Sequence, residues 1–164
     1  MKKYEFTGET KRVELWNRTA TLHRIKATVE FGFVKVGELG GWIEKEENLS
    51  HEGKAWVWGN AKVCGDAKVC GNAKVCGNAK VCGDAEVFLA SHVLVMGSVG
   101  SRNDFTTFFR DKDNEITVKC GCFLGKIDKF LEKVTQTHGN NKYALVYRAA
   151  VEVAKLQIEL TERK

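Results

Sequence analysis

From Ala55 to Phe88 the chain repeats every six residues as Ala-x-Val-x-Gly-Asn/Asp: AWVWGN, AKVCGD, AKVCGN, AKVCGN, AKVCGD, then a degenerate AEVFLA. A period this short excludes arrays of paired helices, whose repeats run to roughly 30 to 45 residues. Within each hexad the apolar positions are two apart (Ala61 and Val63, Ala67 and Val69), which is the strand period, and Gly-Asn or Gly-Asp follows as a corner. Glycine takes positive φ without steric cost and Asn or Asp tolerates it, so each pair can turn the chain. Valine fits a half-buried strand, and alanine suits the crowded inside of a corner.

These features predict a short parallel β-helix. The spacing also resembles the hexapeptide repeat of left-handed β-helices, in which an aliphatic residue precedes a small one by four positions, as Val63 precedes Ala67 and Val69 precedes Ala73. In that family three hexads make one triangular coil, so the resemblance implies that residues eighteen apart stack at about the strand spacing of 4.8 Å. Outside, Cys64 then stacks on Cys82, Trp58 on Cys76, Cys70 on Phe88, Lys62 on Lys80 and Lys68 on Glu86, while Lys74 lies between Trp56 and His92. Inside, Val57, Val63, Val69, Val75, Val81, Val87 and Val93 form the core. Trp56 and Trp58 flank Val57 and are expected to point outward, either under residues 37–50 or toward a partner.

The expected fold class is therefore mainly β: an N-terminal β cap (1–36), a hexapeptide β-helix (37–99), and a C-terminal β-hairpin with two helices (100–164). Residues 93–99 are expected to finish the prism. FTTFFR (105–110) and ITVKCGCF (116–123) read as the hairpin, with Asp111 to Glu115 as its loop. Ile127, Phe130, Leu131 and Val134 recur at helical spacing before Gly139. Asn140 or Asn141 can cap a second helix from Lys142 to Thr161. Its apolar positions (Val146, Ala149, Ala150, Val153 and Leu160, widened by Tyr147, Val151, Ala154 and Ile158) span so much of the circumference that two partners are expected, the hairpin and a second subunit.

A hydrophobic content of 43% supports a real core, and no apolar run approaches the roughly 18 residues of a membrane span. No secretory signal is visible at the start, so a cytoplasmic place in a bacterial host is expected. The six cysteines read as reduced thiols, since Cys64, Cys70, Cys76 and Cys82 share one outward phase and fall mostly on different faces. A net charge of +5 permits attraction to nucleic acid or to an acidic protein. Lys62, Lys68, Lys74 and Lys80 share a phase too, which scatters them over three faces as solvated charges; Lys62 and Lys80 stack and are candidate contacts.

Candidate chemistry is sparse. Acyl transfer, the best-known enzyme activity of left-handed β-helices, uses trimers, coenzyme A and a histidine base; His51 and His92 are the candidates, set against ordinary exposed histidines. Cys120 and Cys122 with His138 could bind metal, but no second ligand pair is present and packing is the simpler reading. Cys122, His138 and Asp104 could form a nucleophilic group if the fold brings them together. Arg102, Asn103 and Asp104, beside Phe105, Phe108 and Phe109, read either as an internal Arg to Asp clamp or as a recognition corner.

The whole chain further resembles a group of uncharacterised bacteriophage and prophage proteins, notably of Gram-positive hosts. The resemblance is carried by YEFTGETK (4–11), LHRIKA (22–27), GELGGWIEKEENLS (37–50), the hexads, GSRND (100–104), GCFLG (121–125) and THGNNKYA (137–144). It implies phage origin and a β-helix between two small caps, without an established chemistry; cysteine stands here at outward positions where that group more usually has an aromatic. The expected function is a non-enzymatic binding protein without cofactor or metal, whose partner is a host or defence-system protein such as a CRISPR effector. A trimeric acyltransferase and a self-assembling scaffold are the alternatives, with assembly through the prism ends or the C-terminal helix. Binding residues are sought among Arg102, Asn103, Asp104, Trp56, Trp58, Lys62 and Lys80.

Overall fold

The computed structural model describes residues 1–15 and 17–160. The chain is mainly β, with two α-helices in its C-terminal part. Strands β1 (Tyr4–Leu15) and β2 (Arg18–Ala27) form an antiparallel hairpin, and β2 pairs on its other edge with β3 (Leu39–Ile43). Each hexad then supplies one two-residue strand: β4 (Trp56–Val57), β5 (Lys62–Val63), β6 (Lys68–Val69), β7 (Lys74–Val75), β8 (Lys80–Val81) and β9 (Glu86–Val87).

These strands are too short to be stable alone, and parallel pairing with a strand three hexads away supports them. Lys62 pairs with Lys80, Trp56 with Lys74 and Lys68 with Glu86, each eighteen residues apart. Between them, Gly59, Gly65, Gly71, Gly77 and Gly83 take φ of 57 to 66°, the left-handed corner that a Cβ would strain. The Val and Ala of every hexad are at most 1% exposed and form one continuous core. Burying each valine contributes at most about 1.5 to 3 kcal/mol, an upper bound set by the extended-chain reference.

The preceding turn of chain is longer. Trp42 pairs with Lys62 and Leu49 bridges to Val69, twenty residues apart. The two extra residues fall between Ser50, whose N–H donates to Val69 O, and Lys54, whose N–H donates to Gly71 O. His51 lies in this widened corner and stacks on Tyr4 of β1, with centroids 4.1 Å apart. Close approach of β3 is possible because Gly40 and Gly41 lack side chains: a Cβ at either would lie 2.6 to 2.7 Å from atoms of Ile25, Trp56, Val57 or Ala61. Buried Asn48 ties this turn to the next, its Oδ1 accepting the Glu44 and Lys45 N–H groups while Nδ2 donates to Gly65 O and Ala67 O.

The C-terminal part is an antiparallel sheet of β10 (Val93–Val99), β11 (Asp104–Arg110), β12 (Ile116–Cys120) and β13 (Phe123–Lys126), packed on α1 (Ile127–His138) and α2 (Lys142–Gln157). Two expectations are corrected. Residues 93–99 pair with β11 rather than extending the hexad ladders, since AEVFLA lacks the glycine corner and the chain leaves through a 3-10 turn at Ala90–His92. The strand expected over 116–123 ends at Cys120, because Gly121 (φ 56°) turns the chain into a third hairpin strand.

Helix α1 ends at Gly139, and Asn141 caps α2 by accepting the Ala144 N–H. It ends at Gln157, where Ile158 turns extended, short of the expected Thr161, which itself lies outside the described residues. The buried face of α2 is Ala144, Tyr147, Ala150, Val151 and Ala154, continued by Ile158, whereas Val153 and Leu160 are exposed. The two cores are joined by Arg110, which donates to Glu86 O and to Asn114 Oδ1, and by Thr107, whose Oγ1 accepts the Lys80 N–H.

Candidate functional site

The Lys62–Lys80 ladder continues in both directions. Trp42 of β3 precedes Lys62, and beyond Lys80 come Thr107 and its partner Lys119 on β12. Lys11 arrives from β1, its ammonium 4.1 Å from the centroid of the Trp42 ring. Lys62, Lys80 and Lys119 line a groove of about 300 Å³ walled by Val13, Leu15 and Leu22 of the hairpin, with Glu14 also in its lining. Among the described residues none of Lys11, Lys62, Lys80 and Lys119 has a carboxylate within ion-pair distance, whereas Lys2, Lys26, Lys35, Lys45, Lys112 and Lys126 each have one. Burial, then the charges of Lys11 and Lys80, push the Lys62 ammonium below its ordinary value, against an opposing pull from Asp104. Like charges gathered without a direct ion-pair partner are unfavourable unless an anion supplies the balance.

Cys64 and Cys82 lie two residues along the same strands, so they share the lysines' outward face and stack on each other, with the Cys64 N–H donating to Val81 O. Their expected exposure is corrected: they are 5% and 3% exposed, because the hairpin folds over this face with Ala20 and Leu22 while Trp42 of β3 packs alongside. Interaction with the neighbouring Cys82 thiol, followed by burial, pushes Cys64 well above the usual thiol range. The same interaction pulls Cys82 down, and Lys119 and Lys80 assist it against burial.

Trp56 is 0% exposed, which corrects its assignment as an outward contact. Phe31 and Tyr4 meet its ring edge-on at 5.3 and 6.2 Å. Beside them the Lys3 ammonium, pushed down to about 8 by burial, donates to Ala55 O. The cover thus comes from the N-terminal strand and the Phe31 loop. Trp58 is half-buried and lines a separate depression with Phe33, Lys54 and Lys74.

Arg102, Asn103 and Asp104 are exposed at the turn into β11. Asp104 accepts the Phe105 N–H, and Arg102 lies against Gly121, where a Cβ would meet its Nη1 at 2.6 Å. No Arg102 to Asp104 ion pair occurs among the described residues. Phe108 and Phe109 are fully buried, one in each core, and so take no part in a surface corner.

Arg102, Asp104, Cys120, Cys122 and His138 do line one cleft of about 130 Å³. His138 stacks on Tyr147 and Cys120 Sγ accepts from Thr106 Oγ1. Among the described residues no group of three or more His, Cys, Asp or Glu is placed to hold a metal ion.

Both candidate histidines are built into the fold. His92 is fully buried rather than exposed, and its Nδ1 accepts the N–H groups of Phe88 and Leu89. His51 Nδ1 accepts the Lys3 N–H. Burial pushes both imidazoles below the ordinary histidine value.

The lysine convergence was missed in the sequence because Lys11 and Lys119 lie far from the hexads along the chain; the stacking of Lys62 on Lys80 was its only signal. Comparison with known family models finds no match, and no curated protein is significantly similar to the chain. Among the described residues no helix is long and apolar enough to cross a membrane.

Proposed function

We propose that this protein is a non-enzymatic binding protein built on a short, left-handed parallel β-helix, and that it grips an acidic partner surface through the groove of Lys62, Lys80 and Lys119. The observation that carries this reading is the gathering of cations from three separate segments with no carboxylate at ion-pair distance, although Glu14 also lines the groove. Complementary charge steers encounter and fixes orientation, and a groove held by paired strands loses little conformational entropy on binding. The resemblance to phage and prophage chains points to a host defence complex, such as a CRISPR effector, as the partner. Capture from host lysate, followed by assay of the captured complex, tests this: inhibition by the native protein and its loss in Lys62→Glu/Lys80→Glu support the reading. An unchanged defence activity overturns the inhibitor role. Salt-dependent binding to DNA or RNA alone would redirect the groove to nucleic acid.

The acyltransferase alternative loses support from His92, whose Nδ1 is occupied by two backbone donors. Coenzyme A binding measured by calorimetry would restore it.

A second reading, compatible with the first, is self-association through α2. Leu145, Ala149, Val153 and Leu156 form an exposed stripe opposite the buried face, and Leu156 is 88% exposed. Basic Lys142 and Arg148 lie toward the helix N-terminus, while acidic Glu152 and Glu159 lie toward or just past its C-terminus. An antiparallel pair of these helices would set Leu145 against Leu156 and bring Lys142 of each copy toward Glu159 of the other, while Glu152 stays paired with Lys155 of its own helix. Sedimentation of native protein as a dimer, and of Leu145→Glu/Leu156→Glu as a monomer, supports this reading; a monomer at all concentrations removes it.

A further inference from the structure

We infer that Cys64 and Cys82 form a redox-active dithiol that hydroperoxides oxidise to an intrachain disulfide. The in-register pairing of β5 with β8 sets these residues side by side, and the spacing of neighbouring strands, about 4.8 Å, lies inside the Cα range that a disulfide spans. The four hexad cysteines otherwise point to different faces: Cys70 stacks over Phe88, and Cys76 is exposed on another side. Both Cys64 and Cys82 line two adjoining spaces of about 300 and 250 Å³, which meet at the thiols beside Leu15 and Lys119. A small peroxide can therefore reach sulfurs that the hairpin shields from larger molecules. Lys119 and Lys80, with the adjacent Cys64 thiol, favour a thiolate at Cys82.

These positions assign the roles. The Cys82 thiolate attacks the terminal oxygen of the hydroperoxide; the S–O bond forms as the O–O bond breaks, and the departing alkoxide takes up the proton that Cys82 gave up. Cys82 is then a sulfenic acid. The Cys64 sulfur attacks Cys82 Sγ, the S–S bond forms as the S–O bond breaks, and hydroxide leaves as water with the proton of Cys64. Two thiols and one hydroperoxide give one disulfide, one alcohol and one water, the two electrons passing from sulfur to the peroxide. The inference does not depend on what the groove binds.

The test is peptide mapping of the full-length native chain after one equivalent of hydrogen peroxide, digested with trypsin without reductant. The expected product is peptide 63–68 joined to peptide 81–102, two hydrogens lighter than their sum and separated by dithiothreitol. The Cys120→Ser/Cys122→Ser variant should retain this link. Cys64→Ser should abolish it and leave Cys82 as a sulfenic acid that dimedone traps, with an unchanged circular dichroism spectrum as the folding control. Joined peptides at Cys70, Cys76 or Cys120 in place of 64 and 82, or oxidation of single cysteines to sulfinic acid without any link in the native chain, would overturn the inference.

Discussion

Asn48 holds neighbouring turns of the chain together with four hydrogen bonds from one buried side chain. Asn48→Ala strands the Lys45 donor and the Gly65 and Ala67 acceptors, while the Glu44 N–H keeps Val63 O, so a loss of about 2 to 4 kcal/mol is expected in urea unfolding, as buried polar groups without partners cost about 1 to 3 kcal/mol each and partly find water. His51 and His92 set the pH response. Their folded values lie below the unfolded one, so the stability they allow is complete above about pH 6.5 and is lost as pH falls, because the unfolded chain takes up protons that the fold refuses. The thermal midpoint should drop between pH 7.5 and 5.5, and His92→Gln should show a shallower drop; a midpoint that rises on acidification would contradict this assignment. At this scale the hexads announced their inward valines and alanines directly. They could not announce that Trp56, Cys64 and Cys82, outward by strand alternation, are covered, since the cover is supplied by Tyr4 and Leu22 of a distant hairpin and Phe31 of the loop after it.

Elements with their own local signals were legible to within a few residues. Gly139 and Asn141 mark the end of α1 and the start of α2, and Asn141→Ala should cost about 0.5 to 2 kcal/mol, read as a lower midpoint with loss of helical ellipticity. The eighteen-residue pairing of β5 with β8 follows the repeat. Strand β10 carries apolar residues as a further hexad would, but without the corner glycine it pairs with β11; its partner was decided by an absent turn signal rather than by its own composition. The two-residue insertion near His51 was illegible for a similar reason: its purpose is to seat Tyr4, and only the folded hairpin reveals that contact.

For the molecule as a whole, net charge was readable and its placement was not. Lys68 and Lys74 stand on other ladders, whereas Lys62 and Lys80 share theirs with Lys119 and approach Lys11. The most direct measurement is the affinity for polyglutamate, a soluble stand-in for an acidic protein surface, across a salt series for two charge-matched variants. Lys62→Gln/Lys80→Gln/Lys119→Gln should bind about tenfold more weakly than the native chain and show a flatter dependence on salt, since about 1.4 kcal/mol separates tenfold differences in affinity. Lys68→Gln/Lys74→Gln/Lys133→Gln, with the same net charge, should bind nearly as the native chain does. Equal losses in the two variants would mean that total charge, and not the groove, attracts the anion.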